Sequence, residues 1–133
     1  MSKNCSIEKY DIHIIEALKK MKVPIVGFQG RKFYFRDVSR KESGLEHIAK
    51  KSHRLKVRDI ESIPQILKHP KVCCQDPQNK IYRNYYGIRK TNDSNTLLKI
   101  VTSPVKNKRE EEEIIITIYP TKSIKDWNKT YIM

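Results

Sequence analysis

Leu97-Leu-Lys-Ile-Val-Thr102 and Ile114-Ile-Ile-Thr-Ile-Tyr119 decide the fold of this chain. Both runs are dense in β-branched residues, which fit a pleated, half-buried surface better than a helix. A charged loop from Pro104 to Glu113 joins them. Upstream, Ile81–Lys90 carries Tyr82, Tyr85 and Tyr86 and suits a long strand, closed by the polar turn Thr91–Asn95. Val72–Gln75 is short and apolar, and Asp76-Pro-Gln-Asn79 after it is a strong turn. Four strands in succession with polar reversals between them imply an antiparallel sheet.

Before residue 70 the apolar period changes. Ile7, Ile14, Ile15 and Leu18 fall at helical spacing, so a helix is expected over about 7–20 with Ser6 as its N-cap. Val23–Phe28 and Lys32–Arg36 are short runs on either side of Gln29-Gly30, the pattern of a β-hairpin. A second helix is expected from Ser43-Gly44 to about Ser52, with Leu45, Ile48, Ala49 and Ser52 inward and His47, Lys50 and Lys51 outward. A third is expected around Ile63–Leu67, capped by Ser62, with Pro64 in its first turn and Pro70 ending it. Ser123–Asn128 suits a short final helix. The expected fold class is α+β, N-terminal helices and a short β-hairpin packed on a roughly four-stranded antiparallel sheet. With 133 residues there is room for one domain.

Charge narrows the function. The chain carries 28 Lys+Arg against 15 Asp+Glu, a formal net charge of +13. Residues 1–72 contribute +9 of this and residues 73–133 contribute +4. Such a field concentrates polyanions and speeds their association. RNA is the preferred partner; an anionic membrane or an acidic protein are the alternatives. The acidic run Glu110–Glu113 reads as a solvated loop or the start of a strand. Cys5, Cys73 and Cys74 show neither a zinc-ligand spacing nor a disulfide framework. Lys3, Glu8 and Asp11 interrupt any apolar leader, so a reducing, cytoplasmic setting without a membrane anchor is expected.

No Gly-rich phosphate loop, His-Glu-x-x-His or Gly-x-Ser-x-Gly motif is present, nor a carboxylate pair of the two-metal kind. Phosphodiester cleavage would then use the 2′-hydroxyl of RNA, with no cofactor or metal. Histidine suits the two proton transfers near neutral pH, and Lys, Arg and hydroxyls suit the charged phosphorane. His47-Ile-Ala-Lys-Lys-Ser-His53-Arg-Leu-Lys56 gathers two histidines, two lysines and Arg54 about one helix end. The alternative is an ordinary solvated basic face. His13 and His69 read as structural. A non-catalytic RNA- or DNA-binding domain is the second possibility, with Tyr82, Tyr85, Tyr86 and Arg83 stacking on bases and touching phosphates.

His-Ile-x-x-Lys-x-His from His47, Ile-x-x-Ile-Pro-x-Ile-Leu-x-x-Pro from Ile60, and Asp-x-x-Asn from Asp76 follow in that order. A Tyr-rich strand, Leu98-Lys-Ile-Val101 and Ile114-Ile-Ile-Thr-Ile-Tyr-Pro120 complete the series. Together they resemble the phage-associated nucleases of the barnase–EndoU–colicin–RelE-like superfamily. The resemblance covers His47 to Pro120 and assigns residues 41–128 to a nuclease core, with residues 1–40 a helix-plus-hairpin extension. It implies a toxin-type endoribonuclease acting on tRNA or mRNA, paired with an acidic antitoxin or immunity protein. The residues it carries over are His47, Lys51, His53, Thr117 and Tyr119. Joined to the basic segment and the tyrosine-rich strand, they make His53, His47, Lys51 and Thr117 the candidate catalytic residues and Lys50, Arg54, Tyr119, Tyr85 and Arg83 the candidate substrate contacts. Thr117 and Tyr119 are two apart on a strand and therefore share a face. β-Propensity alone also explains a threonine there.

Overall fold

The computed structural model describes residues 9–36, 44–90, 96–105 and 112–122. Three α-helices and six strands are found among them: α1 (Ile12–Lys20), β1 (Ile25–Val26), β2 (Lys32–Phe35), α2 (Gly44–Ile48), α3 (Val57–Lys68), β3 (Val72–Gln75), β4 (Arg83–Ile88), β5 (Leu97–Pro104) and β6 (Glu112–Thr121). The class is mixed α and β, as expected. The Ser6 cap, the Thr91–Asn95 turn and the Ser123–Asn128 helix lie outside the described residues.

α1 starts at Ile12 because the Asp11 carboxylate accepts from the His13 and Ile14 backbone N–H groups. It buries Ile14 and Leu18, each worth about 1.5–3 kcal/mol relative to exposure. α3 is longer than its expected Ile63–Leu67 and begins at Val57. There the Asp59 side chain accepts from the Lys56 N–H at 2.7 Å, so Ser62 is interior and its hydroxyl bonds back to the Arg58 carbonyl. Pro64 therefore sits inside the helix, where Ile60 is denied the N–H that would complete its turn. Ile60, Ile63, Ile66 and Leu67 form the buried stripe.

The sheet is not the roughly four-stranded antiparallel one expected but has six strands, one pair of them parallel, in the order β1-β2-β6-β5-β4-β3. β3 to β6 form the expected antiparallel meander, with Asp76 closing its first turn by accepting from Gln78 and Asn79. The expected hairpin is present but joins the same sheet, because β2 pairs parallel with the first half of β6 from Lys32↔Glu112 to Phe35↔Ile115. Ile14, Leu18, Ile25 and Phe33 share one buried cluster with Ile60, Leu67, Ile100 and Ile118. Gly87 lets β4 pass beneath Ile66, whose side chain would collide with any Cβ there.

One irregularity sets the second half of β6. Val101 pairs with Thr117 while Thr102 pairs with Ile115, so Ile116 is an extra residue. Glu113 and Ile115 face the helices before this bulge, and Ile118 and Pro120 do so after it, opposite Ile100 and Leu98. The inserted residue shifts the alternation by one. Thr117 and Tyr119 consequently turn to the second face of the sheet, beside Val101 and Lys99.

Candidate functional site

The second expected helix does not reach Ser52. α2 stops at Ile48 because residues 9–11 take the backbone groups that would continue it. The Asp11 N–H donates to the Ala49 carbonyl at 2.8 Å, and Lys51 N–H donates to the Lys9 carbonyl at 3.0 Å, across a Tyr10↔Lys50 bridge. The chain re-forms as a 3₁₀ turn over Lys51–His53, closed by Arg54 in the left-handed region at φ 56°. Ser52, expected inward, is exposed. The break also replaces helical spacing between the two histidines by direct contact. The His47 and His53 rings meet edge-to-face with centroids 5.7 Å apart.

His53 Nδ1 lies 3.0 Å from the Ile48 carbonyl oxygen. A carbonyl only accepts, so this bond puts the hydrogen on Nδ1 and makes Nε2 the basic nitrogen of the neutral ring. The same ring lies 6.3 Å from that of Tyr119. On the adjacent strand, Lys99 pairs with Tyr119, and its ammonium sits 5.4 Å over the Tyr119 ring and 5.7 Å over that of Tyr86. Thr117 shares this face, two residues along β6. His47, His53, Lys99, Thr117 and Tyr119 are all half-buried. Four of the five were expected from sequence. Lys99 was not, although a lone charge inside Leu98-Lys-Ile-Val101 is the mark of a strand whose second face meets something polar.

Lys51 and Arg54 are exposed on the turn beside His53, and Lys50 is half-buried at the bridge. Exposed Lys56 and Arg58 extend this basic segment into the start of α3. His13 is exposed on α1, at a groove against α3, and His69 ends α3.

Tyr85 and Arg83, expected to touch substrate, belong elsewhere. They alternate onto the helix-facing side of β4, where Tyr85 is fully buried against Phe33. The Tyr85 hydroxyl donates to both Glu113 carboxylate oxygens at 3.0 Å, and Thr102 donates to one at 2.6 Å. Arg31 and Arg83 each bring an Nη1 to the other oxygen, at 3.0 and 3.1 Å. Glu113, from the run read as a solvated loop or strand start, is thus a buried ion with four partners. Burial, then the Glu113 charge, push the Tyr85 phenol well above its ordinary value. Burial likewise pushes the neighbouring Cys73 thiol up to about 12. Burial opposes the Arg83 charge, but Glu113 and Tyr85 more than offset it and its pKa is raised. Tyr86 is also buried, on the second face beside Val72 and Cys74.

No group of three or more His, Cys, Asp or Glu side chains able to hold a metal occurs among the described residues. No helix among them is long and apolar enough to cross a membrane. No family model, curated protein or solved structure matches the chain.

Proposed function

We propose that this chain is an endoribonuclease that cleaves RNA without a metal, by attack of the 2′-hydroxyl on the adjacent phosphate. The observation that carries this reading is the ring series His47–His53–Tyr119 with the Lys99 ammonium over the last ring. Two proton-transfer groups and a held cation stand on one half-buried surface, beside the exposed Lys51 and Arg54. His53, in its neutral form, takes the 2′-hydroxyl proton at Nε2 while the 2′-oxygen bonds to phosphorus. The bond from phosphorus to the 5′-oxygen breaks, and His47, in its protonated form, gives that oxygen a proton. The products are a 2′,3′-cyclic phosphate and a 5′-hydroxyl. Lys99, with Lys51 and Arg54, opposes the charge that grows on the phosphorane, and the Thr117 and Tyr119 hydroxyls donate to its oxygens. Lys50 adds a phosphate contact.

The four-stranded meander behind the His47–His53 segment supports assignment to the barnase–EndoU–colicin–RelE-like nucleases. A toxin of that kind, from a phage or mobile element and acting on tRNA or mRNA in the cytoplasm, needs a neutralising antitoxin or immunity protein. The +13 charge favours an acidic one.

The purified chain is expected to cut bulk tRNA in excess EDTA, leaving 2′,3′-cyclic or 3′-phosphate ends and intact DNA. Strict Mg²⁺ dependence, or equal cutting of DNA, overturns the mechanism. Salt-sensitive RNA binding without cleavage would instead make this a non-catalytic binding domain. Burial of Tyr85 and Tyr86 removes two of the stacking platforms which that alternative would use.

A further inference from the structure

Arg89 follows β4 and makes three side-chain hydrogen bonds. Its Nε donates to Asp59 Oδ1 at 2.9 Å, and its Nη2 donates to Asp59 Oδ2 at 2.9 Å and to the Arg54 carbonyl at 2.8 Å. Asp59 is fully buried and also accepts from the Lys56 N–H. One guanidinium therefore joins the end of β4, the first turn of α3 and the turn that carries His53. An ion pair serving stability alone would need only the carboxylate. The third bond goes to the residue directly after His53, and that residue holds a left-handed backbone, unfavourable for a side chain with a Cβ. Arg54 N–H and His53 N–H close the same turn onto the Lys51 and Lys50 carbonyls.

We infer that Arg89 and Asp59 are positioning residues for His53: by fixing the Arg54 carbonyl they hold the 3₁₀ turn in the conformation that keeps His53 Nδ1 on the Ile48 carbonyl and Nε2 as the base. This inference rests on the ribonuclease proposal for its catalytic consequence, but the tautomer it predicts is measurable without RNA. Lysine at position 89 would keep a charge beside Asp59 while losing the planar fork that reaches two partners at once.

The experiment compares wild type, Arg89→Lys and Tyr85→Phe by ¹⁵N histidine NMR and by tRNA cleavage. Wild type is expected to show His53 protonated on Nδ1 when neutral. Arg89→Lys is expected to mix the two tautomers and to lower kcat about 10–100-fold with KM within about threefold, the signature of misplacement. Tyr85→Phe, which removes a hydroxyl bonded to Glu113 and not to the turn, is expected to lose stability yet keep the wild-type tautomer and kcat. A wild-type tautomer and kcat in Arg89→Lys, or an equal kcat loss in Tyr85→Phe, overturns the inference. If wild type cuts no RNA, the ribonuclease proposal falls and the tautomer alone decides the positioning role. If Arg89→Lys does not fold, native-state hydrogen exchange of the wild type decides it. The His53 and Arg54 amides are expected to open together with the Asp59 amide; exchange more than about 100-fold faster overturns the tie.

Discussion

Tyr85 and Tyr119 both lie within strands of one sheet, and they have opposite fates. Tyr85 faces the helices, fully buried, with its hydroxyl on the Glu113 carboxylate. Tyr119 faces the other way, half-buried, between the His53 ring and the Lys99 ammonium. The Glu113 cluster is internally answered: one carboxylate receives two guanidiniums and two hydroxyls. Around Tyr119, by contrast, the cation rests on aromatic faces, a weaker hold than an ion pair. Polar groups that satisfy one another hold a fold together. Polar groups held in place with chemistry to spare are those a substrate can use.

The sharpest way to break this comparison is to remove both histidines. His47→Ala/His53→Ala is expected to lower tRNA cleavage about 10²–10⁴-fold, read as initial rates, with thermal stability nearly unchanged. Wild-type cleavage by this variant would move the chemistry elsewhere. Glu113→Gln is the converse. It removes the carboxylate charge that both guanidiniums face in a largely buried site and is expected to cost about 3–5 kcal/mol in urea unfolding. Cleavage per folded molecule should stay within a few-fold.

The two tyrosines then separate the regions with the smallest chemical change. Tyr85→Phe is expected to cost about 1–3 kcal/mol, because Glu113 loses a buried donor. Tyr119→Phe should stay within about 0.5 kcal/mol of wild type and show its effect in cleavage rate. Equal stability losses would erase the distinction.

Alkaline pH probes the closed region through its two upward-shifted groups. Cys73 and Tyr85 stay protonated in the folded chain at pH values where the unfolded chain ionises them, from ordinary values of 9.0 and 10.0. The unfolded state then binds fewer protons, so their contribution is complete below about pH 9 and is lost as pH rises towards about 12. Urea midpoints measured across that range should fall steadily. A flat profile would contradict the burial of both groups. The smallest effect belongs to the basic segment: Lys50→Ala/Lys51→Ala should flatten the log–log salt dependence of RNA binding by about 1–2 units. An unchanged slope would place RNA on another surface.

Much of this was legible in the chain itself. The four-strand meander could be read because β-branched runs and turn residues are local properties, and Asp76-Pro-Gln-Asn79 closes its turn with its own side chain. The pairing of Thr117 with Tyr119 on one face followed from strand period alone. The length of the second helix was not legible, because residues 9–11 compete for its backbone from a distant part of the sequence. Nor was the burial of Glu113, which depends on arginines 82 and 30 residues away.

Composition and short-range period carry the α+β class, the strand succession, the basic charge and the His47–His53 segment. Which face each half of β6 presents depends on packing, since that turns on one extra residue, Ile116, opposite Val101–Thr102. Packing likewise places Lys99 beside Tyr119 in the candidate site and Tyr85 and Arg83 at Glu113 instead. Strand period says which residues share a side, but which side meets the helices is fixed only when the sheet packs.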